Sequence, residues 1–260
     1  MQKLRLDTPD GFSLAVEYSP VESAKACVVM AHGMTVNMYN EGMYFKLEDR
    51  LNKLGVATIR FDFRAHGQSS GISHQDFCIS GELTDLATIM DFAKQVGAPK
   101  LALVGASFGG GISALYAGDH AADLTALVLV NPVLNYQEDF LEPVTPWARG
   151  IFPAAREELK SKTSVPVGSR NYPIGPIFFD QMANYFPLKQ LARFDKPLLV
   201  IHGTKDDKID YASNQKRVAA LPNQDKQFVT LDGAGHGFHE QPYEDQAAQY
   251  VGDFLVKQLL

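Results

Sequence analysis

Leu101-Ala-Leu-Val-Gly105-Ala106-Ser107-Phe108-Gly109-Gly110-Gly111 is an apolar run that passes through Gly-x-Ser-x-Gly into a helix-compatible stretch. It reads as a buried strand turning sharply into a helix, with a serine on the turn. Such a turn holds the serine in strained backbone angles, and small residues two places before and after it let strand and helix approach closely. Ser107 is thereby pushed out at the carboxyl end of a sheet. The bare pattern arises by chance in many proteins, and an incidental serine in a glycine-rich turn is the bland alternative. The flanking strand and helix make the motif specific.

Working outward, the neighbouring sequence supplies the rest of that sheet. Lys3 to Leu6 and Phe12 to Tyr18 alternate around Asp10-Gly11, which predicts an antiparallel hairpin. Ala26 to Ala31, Val56 to Phe61, Leu101 to Gly105 and Leu124 to Val130 are apolar runs separated by helical patterns. That alternation predicts strand-helix-strand units in a parallel sheet. Tyr44 to Leu54 offers Phe45, Leu47, Leu51 and Leu54 as a helix face, and Gly81 to Val96 offers Leu83, Leu86, Ile89, Met90 and Ala93. After an interruption, Pro197 to His202 and Gln227 to Leu231 read as strands, Tyr211 to Leu221 as a helix, and Tyr243 to Leu259 as a closing helix with Tyr250, Phe254, Leu255 and Leu259.

The interruption runs from Asn131 to about Phe194, where periodicity fails and prolines and aromatics collect. A structureless stretch of that length inside a compact domain is improbable, so it reads as an inserted cap of short helices. The expected division is a core of residues 1–131, a cap of 132–194 and a second part of the core from 195–260. The cap's aromatics, among them Tyr136, Phe140, Trp147, Phe152, Tyr172, Phe178, Phe179, Tyr185 and Phe186, are expected mainly to form its own small core, a few of them lining a slot over Ser107.

A serine hydroxyl is a poor nucleophile at neutral pH, so the motif calls for a histidine base and an acid, in the chain order serine, acid, histidine. Leu198-Leu-Val-Ile-His202-Gly203-Thr-Lys-Asp206 places Asp206 beyond one strand, and Leu231-Asp-Gly233-Ala-Gly235-His236-Gly237 places His236 beyond the next. Composition leaves room for little else. The 260 residues carry 24 Lys+Arg against 30 Asp+Glu, a net charge of −6, with no basic run to follow a phosphate backbone. Apolar runs are strand-sized, so neither nucleic acid nor a membrane is an expected partner. Cys27 and Cys78 suggest no disulfide framework, which fits a cytoplasmic setting. No cluster has metal-ligand spacing and no phosphate-binding loop follows a strand, so no cofactor or metal is expected.

Taken together, these residues resemble the α/β-hydrolase family over essentially the whole chain. The resemblance rests on His32-Gly33, Asp62-Phe-Arg-Ala-His-Gly-Gln-Ser69, Gly105-Ala-Ser107-Phe-Gly109, His202-Gly-Thr-Lys-Asp206 and Gly235-His236-Gly237. It implies an α/β fold with a mostly parallel eight-stranded sheet and a cap inserted after the sixth strand. It also implies Ser107 as nucleophile, His236 as base and then acid, and Asp206 as the group that orients the imidazole. The oxyanion hole would be the backbone N–H groups of Met34 and Phe108. The first loop lacks a triple-glycine motif, so the chain is most similar to the cap-bearing small esterases and the serine-aminopeptidase-like branch. The cap resembles that of cinnamoyl (feruloyl) esterases. The implied activity is a serine carboxylesterase acting on a small-molecule ester, aromatic acyl esters first, in a monomer or homodimer. An aminopeptidase using cap acids such as Glu138, Asp139, Glu142, Glu157 or Glu158 is the alternative enzyme, and a silent small-molecule binder the alternative outside catalysis.

Other residues compete for these roles. Asp207 and Asp210 are rivals to Asp206, although the family spacing selects Asp206. A second family variant takes its acid from the loop after Val130, where Asn131 cannot carry a charge and Glu138 and Asp139 would require the cap to fold back. His239 reads as a surface residue. His32, His66 and His202 read as structural histidines at strand ends. Asp62 and Arg64 read as an ion pair, and Ser69 and Ser70 follow no strand.

Overall fold

The computed structural model describes residues 1–260. Ten strands form: β1 (Gln2–Asp7), β2 (Ser13–Ser19), β3 (Ala26–Ala31), β4 (Val56–Phe61), β5 (Leu101–Ala106), β6 (Ala126–Val130), β7 (Val165–Val167), β8 (Tyr172–Ile174), β9 (Leu198–Gly203) and β10 (Lys226–Leu231). Eight of them build one sheet in the order β1-β2-β4-β3-β5-β6-β9-β10. The β1-β2 and β2-β4 pairs are antiparallel and every later pair is parallel. This is the α/β-hydrolase fold.

The central strands are apolar throughout because both faces of a parallel sheet are covered. Their alternate side chains therefore enter different cores. Cys27, Val29 and Ala31 of β3 join one cluster with Leu101 and Leu103 of β5, whereas Val28, Met30, Ala102 and Val104 join the other. The first face is covered by α2 (Ile79–Gln95), α3 (Ser107–Asp119) and α4 (Tyr211–Ala219), the second by α1 (Gly42–Lys53) and α5 (Tyr243–Leu259). No helix is long and apolar enough to cross a membrane.

Two helix faces differ from the sequence reading. α1 buries Met43, Tyr44, Leu47 and Leu51 and leaves Phe45 and Leu54 outside. Tyr44 has the better reason to be inside, since its hydroxyl donates to Ala31 O at 2.8 Å. Phe45 lies against the Arg60 guanidinium, 4.1 Å from its ring centre. In α5, Ala247 and Val251 face the sheet while Tyr250 is exposed.

The segment between β6 and β9 holds several short helical turns and, unanticipated by the sequence reading, the small antiparallel β7-β8 hairpin. Its aromatics pack on one another, as in the Phe140–Phe152 pair at 4.8 Å and the Phe178–Phe179 pair at 4.9 Å, and their cluster continues into the core. Phe178 lies 5.0 Å from Phe77 and 5.8 Å from Phe108, ring centre to ring centre, and Tyr136 and Phe140 also meet Phe108. Phe108 follows the sharp turn directly and fills the gap between sheet and insertion, so the two share one apolar cluster. The hairpin is held to the sheet side by Tyr172, whose hydroxyl donates to Ala65 O at 2.8 Å.

Candidate active site

Ser107 sits at the junction of β5 and α3 with φ +52°, a left-handed conformation that costs a non-glycine residue energy. The glycines around it explain why the turn is possible. A Cβ on Gly109 would stand 2.1 Å from His32 O, and one on Gly105 2.2 Å from Ser113 Oγ. Only glycine lets α3 start this close to β3 and β5. Gly33 is constrained less severely, since a Cβ there would lie 3.0 Å from Ser107 Cβ. The loop after β3 thus runs directly beside the serine.

The structure brings Ser107, His236 and Asp206 together. Ser107 Oγ lies 2.9 Å from His236 Nε2, and His236 Nδ1 lies 2.8 Å from Asp206 Oδ2. Asp206 has no exposed side-chain surface, and its Oδ1 accepts from the backbone N–H groups of Lys208 and Ile209 at 2.9 and 3.0 Å. Burial alone would raise the Asp206 pKa. The positive potential of His236 and hydrogen bonds from His202 and His236 more than offset it and hold the carboxyl well below the usual range. The two rival aspartates are elsewhere: Asp207 is exposed, and Asp210 caps α4 by accepting from Ser213 N at 2.8 Å.

Met34 and Phe108 both adjoin the serine. Met34 follows Gly33 and lines the same cavity as Ser107, and Phe108 provides an N–H in the first turn of α3, where helical N–H groups lack intrahelical acceptors.

Two histidines read as structural indeed hold backbone. His32 Nδ1 donates to Gly33 O at 2.7 Å and its Nε2 accepts from Phe63 N at 3.1 Å, while His66 Nε2 accepts from Thr35 N at 3.3 Å. Burial pushes their pKa values down, to about 4 for His32 and about 3 for His66, where the charge of His32 adds to the effect. The third, His202, is not confined to its strand, because it touches Asp206. Asp62 and Arg64 do not pair with each other. Asp62 accepts from Met38 N and Gln68 N at 2.8 and 2.7 Å and so ties the loops after β3 and β4, whereas Arg64 forms ion pairs with Asp10 and Asp85. Ser69 and Ser70 accept from the backbone of β2 at Ala15 and Ser13. Asn131, at the end of β6, accepts from Gly203 N at 3.0 Å and braces the end of β9.

A cavity of about 410 Å³ opens over Ser107. Its walls include Val133, Phe140, Trp147, Val167 and Ile209 on the apolar side, with Glu41, whose carboxyl pKa is pushed up by burial, and with the exposed Arg170 and His239. Asp139 also lines it. Asp139 is 3% exposed, neither carboxyl oxygen has a hydrogen-bond partner, and burial pushes its pKa up to about 7 against the lowering pulls of Arg217 and the nearby Asn135 backbone. Asp139 does not replace Asp206, since His236 is bonded to Asp206. Sequence reasoning offered Asp139 as one of five cap acids, and of those five it is the one that lines the cavity.

A family model described as Serine aminopeptidase, S33 matches residues 22–172, more than half of the chain. The chain belongs to this serine hydrolase family. Among its curated relatives is a monoacylglycerol lipase of Mycolicibacterium smegmatis, 24% identical over 268 residues and covering 93% of this chain and 92% of the relative. Another is a monoglyceride lipase of Rattus norvegicus, 24% identical over 89% of this chain and 82% of its own. Among solved structures, Est1E from Butyrivibrio proteoclasticus with ferulic acid bound superposes with a TM-score of 0.79 at 21% identity, covering 98% of both chains. The esterase and lipase relatives indicate a hydrolase.

Proposed function

We propose that this member of the serine aminopeptidase S33 family is a carboxylic ester hydrolase working through an acyl-enzyme. The observation that carries the reading is the hydrogen-bonded series Ser107, His236, Asp206, at 2.9 and 2.8 Å, at the floor of a cavity. In the proposed reaction Ser107 Oγ attacks the ester carbonyl as His236 Nε2 takes its proton. Asp206 stabilises the imidazolium, and the Met34 and Phe108 N–H groups hold the oxyanion. The tetrahedral species collapses, His236 returns the proton to the departing alcohol, and water activated by the same histidine releases the acid.

Within that class the cavity favours an aromatic acyl group carrying a ring hydroxyl, as in hydroxycinnamate esters. Phe140 and Trp147 offer ring-sized apolar walls, and Asp139 is a polar group with nothing yet to bond. A buried carboxyl in that state costs stability until a hydroxyl pairs with it. The ferulic acid held by Est1E, which shares the fold, fits the same reading. The bare carboxyl of Asp139 also supports a second reading, in which it takes the ammonium of an aminoacyl substrate.

A panel of p-nitrophenyl esters, ethyl ferulate, a monoacylglycerol and an amino-acid anilide separates these readings, with Ser107→Ala beside the wild type. Ester turnover that peaks on ethyl ferulate and disappears in Ser107→Ala is the expected result. Anilide turnover above ester turnover would shift the assignment to the aminopeptidase, and equal inertness of both proteins on every substrate would remove the catalytic reading.

A further inference from the structure

Asp206 Oδ2 faces two imidazoles. His236 Nδ1 is 2.8 Å away and His202 Nε2 is 3.0 Å away, while Oδ1 already holds two backbone N–H groups. A carboxylate has about four acceptor sites, and here all are taken. His202 has no exposed side-chain surface, and its Nδ1 has no hydrogen-bond partner. An ionised carboxylate can only accept, so His202 donates to it through Nε2. Asp206 is the one hydrogen-bond partner of the ring. The ring is held in that orientation by Tyr211 edge-on at 5.7 Å and by Phe228 stacked at 6.4 Å, and by its place on β9.

We infer that His202 is a positioning residue for the proposed reaction, donating through Nε2 to the same Asp206 oxygen that His236 uses and so setting how strongly Asp206 holds His236. The inference rests on the triad reading given above. Two donors on one oxygen compete for its electron density, so each bond is weaker than it would be alone. With His202 in place, Asp206 orients His236 without binding the imidazolium as tightly as a single-partner carboxylate would. Without it, Oδ2 turns wholly to His236, the imidazolium is favoured, and the free base forms only at higher pH. The carboxylate also loses one of the contacts that fix its rotation. The other ionisable groups bearing on this pair are Asp139, across the cavity wall, Tyr211 against His202, and Glu41, which faces His236 and His239 from the loop after β3. The Lys208 ammonium lies over the Trp147 ring instead.

The test is the pH dependence of kcat/KM for p-nitrophenyl acetate in the full-length chain, with three substitutions. His202→Gln places an amide N–H near the original Nε2 position. His202→Leu removes the donor, and His202→Asn keeps a polar side chain too short to reach Asp206, which covers the case in which the leucine variant does not fold. Each protein is titrated with a fluorophosphonate so that rates refer to reactive serine. In His202→Leu and His202→Asn, kcat should fall about 10- to 100-fold with KM nearly unchanged, and the midpoint of the acid limb should rise by roughly half a unit to one unit. His202→Gln should recover the wild-type midpoint and most of the rate. Wild-type midpoints in the folded leucine and asparagine variants would overturn the inference while leaving Ser107 chemistry intact, as would a glutamine variant no better than leucine. A wild type that neither turns over the ester nor reacts with the fluorophosphonate would remove the triad reading and this inference with it.

Discussion

The loop after β9 and the segment inserted after β6 each bring one buried aspartate to the reactive end of the sheet, and the two carboxyls are treated in opposite ways. Asp206 is ringed by two imidazoles and two backbone N–H groups, and those partners hold its acidity well below the ordinary range despite complete burial. Asp139 is at least as buried and has no hydrogen-bond partner for either oxygen, so burial dominates and its pKa rises to about 7. Burial therefore does not decide the charge of a carboxyl; the supply of donors does. Asp206 is equipped to remain an anion through a reaction, whereas Asp139 is equipped to meet a group that comes and goes.

The contrast can be broken most severely at Asp206. Asp206→Asn keeps the shape but presents an amide N–H or a weaker acceptor to His236 Nδ1, which favours the wrong imidazole tautomer. Ester turnover should fall about 10⁴-fold with little loss of substrate binding. Initial rates over a range of substrate concentrations measure both quantities, and a loss under about tenfold would show that Asp206 is not the orienting acid. A smaller effect is expected at Gly33. In Gly33→Ala the new Cβ must displace Ser107 or the loop by a few tenths of an ångström, since it would start 3.0 Å from Ser107 Cβ. A rate loss of about tenfold to a hundredfold with an unchanged melting temperature is the expected pattern. A melting temperature that fell in step with the rate would mean that the glycine serves the fold rather than the placement of the serine.

The same contrast marks what could be read from the chain without coordinates. Strands β3, β5, β6 and β9 are legible because a sheet covered on both faces demands unbroken apolar runs, and Ser107, Asp206 and His236 are legible because each follows such a run at a glycine-marked turn. Those signals are local. The phase of α1 is ambiguous in sequence because Tyr44 and Phe45 are adjacent aromatics, and the Ala31 carbonyl that accepts from the Tyr44 hydroxyl and the Arg60 guanidinium that meets Phe45 decide which ring turns inward. The ion pair imagined for Asp62 and Arg64 failed for a similar reason, since neighbours in sequence found partners far away in Met38, Gln68, Asp10 and Asp85. In the inserted segment, short turns set no period and the aromatics attach to Phe77 and Phe108 of the core. Nothing in Glu138-Asp139-Phe140 distinguishes the acid that faces the cavity from the acid that pairs with Arg217 at the surface, Glu138. The contact between His202 and Asp206 is likewise absent from the sequence reading, in which His202 is a structural histidine at a strand end.

The smallest expected effect is at Asp139, and it is the one that most sharpens the comparison. In the unfolded chain this carboxyl ionises near 3.8, and in the folded chain near 7, so the folded state holds an extra proton in between. Stability is therefore lost as pH rises from about 4 toward 7, and the full penalty, at most about 4 kcal/mol, is present above 7. Asp139→Asn removes that penalty but leaves a buried amide lacking partners, which costs about 1–3 kcal/mol. The variant should melt a few degrees above the wild type at pH 8 and at or below it at pH 4. Thermal unfolding followed by circular dichroism at the two pH values reads the difference directly. On the activity side, a hydroxylated aromatic ester should lose about tenfold in kcat/KM, the value of one hydrogen bond, while p-nitrophenyl acetate should be little affected. A variant less stable than wild type at pH 8 would mean that Asp139 is already satisfied in solution, and the two aspartates would then differ in location rather than in kind. Gain in stability together with loss on the hydroxylated ester alone would instead identify an unpaired carboxyl kept, at a cost to the fold, for the substrate.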